Sequence, residues 1–290
     1  MYYILALLTG VLISILIVTN GGLAATYGLY SSMVILHIIG FLPVLYLIWR
    51  KNEKPFSIQL SLPLYLGGLC NAVIILFASY AYRYISVSAI LALGLLGQSV
   101  TAFFIDHFGL LGSPIYPLNK RKILGIPLIL IGACSMIDGF FLWPVILAFA
   151  GGFFFVISRT LNAKLATSTN TTVCTFYHYL SGLIFSILIF LVLGRTEISY
   201  PRFGVDPFSS NWFIYFGGLV GILVIFLGNL TVPKIPALHL TLLAFVGQVT
   251  TGIFLDIIII RSFPPLQLLI GVPLVTLGFL TTLFFDWFTA

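Results

Sequence analysis

Ten long apolar runs, separated by short polar clusters, order this chain from one end to the other. They cover roughly 2–26, 29–49, 60–82, 86–108, 122–138, 140–163, 171–194, 211–232, 236–260 and 265–286. Each is near the about 20 residues that cross a bilayer as a helix. Each is continuously apolar rather than alternating, so the pattern predicts an all-α membrane protein with ten transmembrane helices, not a barrel. The longest connections, 109–121 and 195–210, carry Pro114 and Pro117, and Pro201 and Pro207. No stretch remains for a water-soluble domain, so no nucleotide-hydrolysing motor is expected on this chain.

The polar interruptions repeat. GQSVTAFFID at 97–106 returns as GQVTTGIFLD at 247–256, with Gly97, Gln98, Thr101, Phe104 and Asp106 matched by Gly247, Gln248, Thr251, Phe254 and Asp256. Tyr65, Gly67, Gly68 and Leu69 match Tyr215, Gly217, Gly218 and Leu219 at the same offset of 150. Gly10, Asn20 and Gly40 match Gly152, Asn162 and Gly182 at an offset of 142, the difference being taken up by the longer 195–210 connection. LGIPLILIG (124–132) matches IGVPLVTLG (270–278) at an offset of 146. The chain thus reads as two five-helix halves, 1–139 and 140–290. An odd number of spans ends on the side opposite its start, so the second half must enter the membrane upside down relative to the first. A pseudo-two-fold axis in the membrane plane is expected, as in transporters built from inverted repeats.

Composition agrees with a bilayer environment, since 60% of residues are hydrophobic and 7% charged, against about 25% charged in a soluble domain. The net charge of +6 does not imply nucleic acid, because no basic cluster is longer than Lys120-Arg121-Lys122 and the cations flank the apolar runs. The first run has no basic leader or small-residue cleavage site and reads as a retained span. The face that holds the N-terminus collects Arg50, Lys51, Lys54, Lys120, Arg121, Lys122, Arg159, Lys164 and Lys234, and the other Arg83, Arg195, Arg202 and Arg261. That bias places both termini in the cytoplasm, with the chain in the cytoplasmic membrane. Cys70, Cys134 and Cys174 show no disulfide or metal spacing and read as packing residues. Four scattered histidines give no metal set, and no cofactor is expected.

Candidate chemistry lies in the polar residues of the spans, where such groups are costly. Gln98 and Gln248 fall near mid-membrane. A primary amide carries two donors and an acceptor, so the pair suits a polar substrate, although a helix-to-helix bond would also account for each. Thr101 and Thr251 lie one turn on, near the same face. Asp106 and Asp256 stand eight residues beyond their glutamines, about 12 Å along the axis. Inversion sends them to opposite faces as paired gates, coupling groups or structural anchors. Arg159 and Lys164 are candidate partners for Asp106, and Arg83 or Arg261 for Asp256. Asn20 and Asn162 are a second repeated amide pair, expected either to line a pathway or to mark a bend. His37 and His178 stand one position out of register; each is a candidate to bind substrate or simply to pack. Pro127 and Pro273 are expected to kink spans five and ten alike. No Ser–His–Asp set, HExxH, CxxC or phosphate-cradling glycine loop is present, so an enzyme is not expected.

The string Gly97, Gln98, Ile105, Asp106, His107, Phe108, Gly109, Leu110, Leu111, Gly112 resembles the YdcZ-type family of the drug/metabolite transporter (EamA-like) superfamily. So do Asn20 and the pattern from Leu124 and Gly125 to Gly132. Members of that family are usually one five-helix unit, and this chain resembles two units fused. The second half departs from the pattern, with IIIIR after Asp256. The resemblance implies a secondary transporter working by alternating access. Spans one to four and six to nine would surround the cavity, and five and ten support it. The expected partners are the lipid bilayer and a small organic substrate. That substrate is read as neutral or zwitterionic because no deeply buried carboxylate is expected in the spans. Nucleic acid is not expected, and a monomer suffices. A membrane receptor or regulatory subunit that binds such a ligand without moving it is the alternative.

Overall fold

The computed structural model describes residues 1–57, 60–112, 115, 125–135, 142–194, 212–260 and 266–287. Ten α-helices are seen there: α1 (Tyr2–Tyr27), α2 (Leu29–Arg50), α3 (Gly67–Ala81), α4 (Val87–Phe108), α5 (Gly125–Ser135), α6 (Leu142–Ser168), α7 (Thr171–Leu193), α8 (Gly217–Thr231), α9 (Ala237–Leu255) and α10 (Leu266–Trp287). Among the described residues, seven stretches are long and apolar enough to cross a membrane, and Ala89–Ile105 in α4 is a shorter apolar one.

Local chemistry sets the boundaries. Gly28, at φ 94°, turns the chain sharply between α1 and α2, a backbone state cheap only for glycine. The Ser86 hydroxyl accepts from the Ala89 N–H at 3.2 Å and caps α4, and Asn170 Oδ1 accepts from the Val173 N–H at 2.9 Å and caps α7. Both satisfy amides that a helix start leaves open. Gly109 ends α4 in the left-handed region, its N–H bonding to the Ile105 carbonyl. The matching end of α9 differs, for Asp256–Ile260 continue as a π-turn. Spans three and eight each open with a 3-10 turn, Leu62–Leu66 and Trp212–Phe216, before α3 and α8. Pro273 lies inside α10, and its counterpart Pro127 is the third described residue of α5.

The packing pairs come in sets. α3 lies on α6 and α8 on α1; α4 on α6 and α9 on α1; α3 on α7 and α8 on α2. α2 packs on α7, α4 on α9 and α5 on α10. Exchanging the halves maps this set onto itself. Glycines repeat the reciprocity at atomic contact: a Cβ on Gly10 would strike the Ala244 carbonyl, and one on Gly152 the Gly94 carbonyl. One on Gly132 would reach Gly271 O at 2.8 Å, and one on Gly278 Gly125 O at 2.6 Å. Between apolar helices in lipid, such close backbone approach, not hydrophobic burial, supplies the association energy.

Polar contacts gather at the two ends of the bundle. At the end from which α1 starts, Lys51 Nζ donates to Thr172 Oγ1 at 2.9 Å and Asn170 Nδ2 to Glu53 Oε1 at 3.0 Å. Tyr177 also donates to the Pro55 carbonyl there, at 3.0 Å. At the far end the Tyr27 and Tyr215 hydroxyls meet and Arg83 reaches the Ala24 carbonyl at 3.4 Å.

Candidate functional site

Two cavities lie between the halves. The larger, about 110 Å³, is walled mainly by aliphatic side chains of α1, α3, α4 and α8, with Phe155 and Tyr179. Its polar wall is Asn20, Asn71, Gln98, His178 and Gln248. The smaller, about 50 Å³, shares Asn71, Phe155 and His178 with it and adds Ser158, Arg159, Asn162, Asn229 and Thr231. The shared lining makes the two neighbouring compartments.

Gln98 and Gln248, from equivalent places in the two halves, reach one compartment. Both are buried, and Gln98 Oε1 and Gln248 Nε2 have no hydrogen-bond partner. Asn20 Oδ1 and His178 Nε2 on the same wall are likewise without partners. An unmet buried polar atom costs about 1–3 kcal/mol, and all four belong to residues on the wall of this one cavity. Each glutamine amide offers both donors and an acceptor.

His178 is held. Asn162 Nδ2 lies 2.8 Å from His178 Nδ1 and 3.5 Å from Ser158 Oγ, and Ser158 donates to the Gly67 carbonyl at 2.7 Å. An amide nitrogen only donates, so Nδ1 accepts and the proton of the neutral ring sits on Nε2, which is buried without a partner. Asn162→Ala is expected to lower the melting temperature and to weaken ligand binding through the freed ring. Thermal unfolding with and without ligand reads both effects; unchanged binding would show that ring orientation is immaterial.

The other expected residues, Arg159 apart, lie elsewhere. Thr101 is buried but donates to its own helix at Gly97 O, 2.7 Å away. Neither it nor Thr251 is among the residues lining either cavity. His37 packs between α2 and α7, with Nδ1 2.8 Å from Met33 O and 3.0 Å from Ser186 Oγ. Arg159 is buried, donates from Nη2 to Thr241 Oγ1 at 2.7 Å and stands 5.9 Å above the Phe155 ring. The side chain of Asp106 and all of Arg261 lie outside the described residues. Asp256 is buried where the π-turn carries it inward. The sequence expectation of no deeply buried carboxylate is corrected there, though Asp256 does not line either cavity. Cys174 donates to the Asn162 carbonyl at 3.0 Å and receives Asn229 Nδ2 at 3.4 Å, a packing role.

Three wall residues carry no signal in the repeat: Asn71, Asn229 and Tyr179. Asn71 has no polar twin in register, its counterpart being Gly221, and Asn229 answers to Ser79 rather than to a second amide, the mark that singles out the others. Tyr179 is hidden by the abundance of aromatics; its hydroxyl donates to Gly218 O at 2.6 Å.

A helical membrane bundle with packing that repeats between its halves, around a mainly aliphatic cavity with a polar wall, is an architecture suited to a multi-pass transporter. The chain belongs to the family described as "Putative inner membrane exporter, YdcZ", whose model matches it twice, over residues 1–135 and 143–281, so that two family units are joined in one chain. A solved structure described only as "Crystal structure of protein" superposes with a TM-score of 0.66 at 15% identity, covering 97% of this chain and 95% of that one. At that identity it speaks for the fold alone. No curated protein matches.

Proposed function

We propose that the protein is a secondary transporter that moves a small organic metabolite, neutral or zwitterionic, across the cytoplasmic membrane by alternating access. Gln98, Gln248, Asn20 and His178 would grip its polar group while the aliphatic wall takes its body. The observation that carries this reading is the convergence on one cavity of residues from both halves that hold unmet buried polar atoms. Family membership supports export as the direction. Asn162 acts here as the support of His178. Thr101 and Thr251 stiffen the helices behind the glutamines. Asp106 and Asp256, with Arg159, are the proposed gate or coupling positions, one carboxylate toward each face.

The reciprocal glycine contacts support two inverted units, 1–139 and 140–290. A contact in which residue i of one half meets j of the other, and j of the first meets i of the second, is the mark of a two-fold relation. With five spans per unit, both termini face the cytoplasm. Reporter fusions after residues 51–54 are expected to report a cytoplasmic position; an external signal there would overturn the topology. The binding step is tested by a thermal-shift screen of the purified protein against metabolites. A hit whose stabilisation disappears in Gln98→Ala is expected, and a hit unaffected by every cavity substitution would contradict the site.

A further inference from the structure

We infer that the substrate is uncharged and carries, on an apolar body, a primary carboxamide or a group with the same hydrogen-bonding pattern, such as a urea. This rests on the transport-site reading above and names the chemistry of its ligand, taking the neutral of the two classes given there. The walls of the larger cavity set the charge. Among the described residues lining it none is Asp, Glu, Lys or Arg. Arg159 belongs to the smaller cavity, where it is engaged with Thr241 and Phe155. A carboxylate or an ammonium group taken into a low-dielectric interior needs an opposite charge and further hydrogen bonds to offset its lost hydration. A zwitterion needs such partners at both of its ends. An uncharged ligand needs only that its polar atoms find matching ones.

The unmet atoms of the wall residues set the polar group. Asn20 Oδ1 and Gln98 Oε1 are acceptors, and Gln248 Nε2 and His178 Nε2, which holds the ring proton, are donors. These two acceptors and two donors come from α1, α4, α9 and α7. One carboxamide answers all four, since its NH2 gives two hydrogens and its oxygen takes two. An ester or ketone would serve the donors and leave both acceptors unmet. The repeat shows why Asn20 stands open. At the offset of 142 its counterpart is Asn162, whose Nδ2 has Ser158 Oγ at 3.5 Å and His178 Nδ1 at 2.8 Å. Those two partners correspond to Leu16 and Leu36, and both leucines line the larger cavity. The first half thus keeps the amide with aliphatic residues where its partners would be. Glycine at 217 also keeps space beside it, because a Cβ there would stand 2.5 Å from Asn20 Oδ1. Leu16, Ile17 and Leu36 then take the apolar body of the ligand.

The test uses the full chain purified in detergent and probes that share a cyclohexyl body and differ in the polar group. These are cyclohexanecarboxamide, methyl cyclohexanecarboxylate, cyclohexanecarboxylate, cyclohexylmethylamine and the zwitterion cyclohexylglycine. Affinities come from the ligand-induced shift of thermal unfolding at matched free concentrations. The carboxamide is expected to bind about tenfold or more tightly than the ester, which leaves two buried acceptors unmet. It should exceed the three charged probes by about tenfold or more as well. Gln98→Met, which keeps the length of the side chain without its acceptor, should narrow the ratio of carboxamide to ester binding. Equal binding of carboxamide and ester to the unaltered protein overturns the inference, and so does tighter binding of any charged probe than of the carboxamide. A ratio unchanged in Gln98→Met overturns it too; should that variant fold poorly, the comparison on the unaltered protein decides alone. If no member of the series binds, the inference fails. The transport-site reading is judged apart from these outcomes. A metabolite of other chemistry found by the thermal-shift screen, whose stabilisation disappears in Gln98→Ala, would leave that reading standing without this one.

Discussion

Gln98→Ala together with Gln248→Ala is expected to abolish transport while leaving the folded yield unchanged, and each single variant is expected to lose most of it. The asymmetry between function and stability follows from what these side chains touch. Gln98 Oε1 and Gln248 Nε2 are buried with nothing to bond, so removing them forfeits no bond at these atoms and relieves a desolvation cost. A substrate that relied on them loses one bond at each site, about 1–3 kcal/mol apiece, or roughly tenfold to hundredfold in binding. Flux in proteoliposomes of a ligand found by thermal shift measures the first quantity, and monodisperse yield the second. Two well-made variants that transport normally would remove the glutamines from the site. Variants that fail to fold would show instead that the amides hold the bundle together.

Leucine at Gly152 is expected to destroy the fold, and leucine at Gly151 to spare the fold and block the cavity. The two positions are adjacent on α6 but face different surroundings. A Cβ at Gly152 would strike the Gly94 carbonyl and stand 2.8 Å from the Gln98 nitrogen, so α4 would have to move away. Backbone cannot yield as a side chain does. The penalty should exceed the about 1–3 kcal/mol typical of overpacking, and the reciprocal Gly10→Leu should behave alike. Gly151 has open space within 4 Å of its Cβ position and lies on the wall of the larger cavity. Yield and melting temperature should therefore fall sharply for Gly152→Leu and little for Gly151→Leu. Ligand-induced stabilisation should vanish in Gly151→Leu. Equal tolerance of both substitutions would contradict these helix contacts.

Much of the fold is legible in the residues alone, and the limit is physical. Period and composition reveal helices because the bilayer demands long apolar stretches. The twin strings reveal the repeat because polar residues are costly in such stretches and do not recur in register by chance. Gln98, Gln248 and Asn20 stand out that way, and the two glutamines, as twins, meet at one cavity. Rotation about a helix axis is not written so clearly. Thr101 stands one turn from Gln98, yet its hydroxyl closes on Gly97 O, a local bond open to any threonine in a helix. His37 and His178 look like near-twins one position apart. The true counterparts are Leu36 for His178 and Tyr179 for His37, so a single residue of register sends one imidazole to the cavity and the other between α2 and α7. Arg159 is legible as a charge at a helix end. Its place on a cavity wall depends on how α6 packs against its neighbours.

Alternation itself is open to a direct reading at Gly151, where a small side chain meets no neighbour. Gly151→Cys would be made in a chain whose Cys70, Cys134 and Cys174 are replaced by alanine or serine and which still binds ligand. A membrane-impermeant thiol reagent would then be added to oriented vesicles from one side or the other. Labelling of Gly151→Cys from both sides, slowed from both by bound ligand, is the expected result for a carrier whose single site opens to each face in turn. Labelling from one side only, with or without ligand, would contradict transport by this cavity and leave a membrane-embedded receptor as the better description.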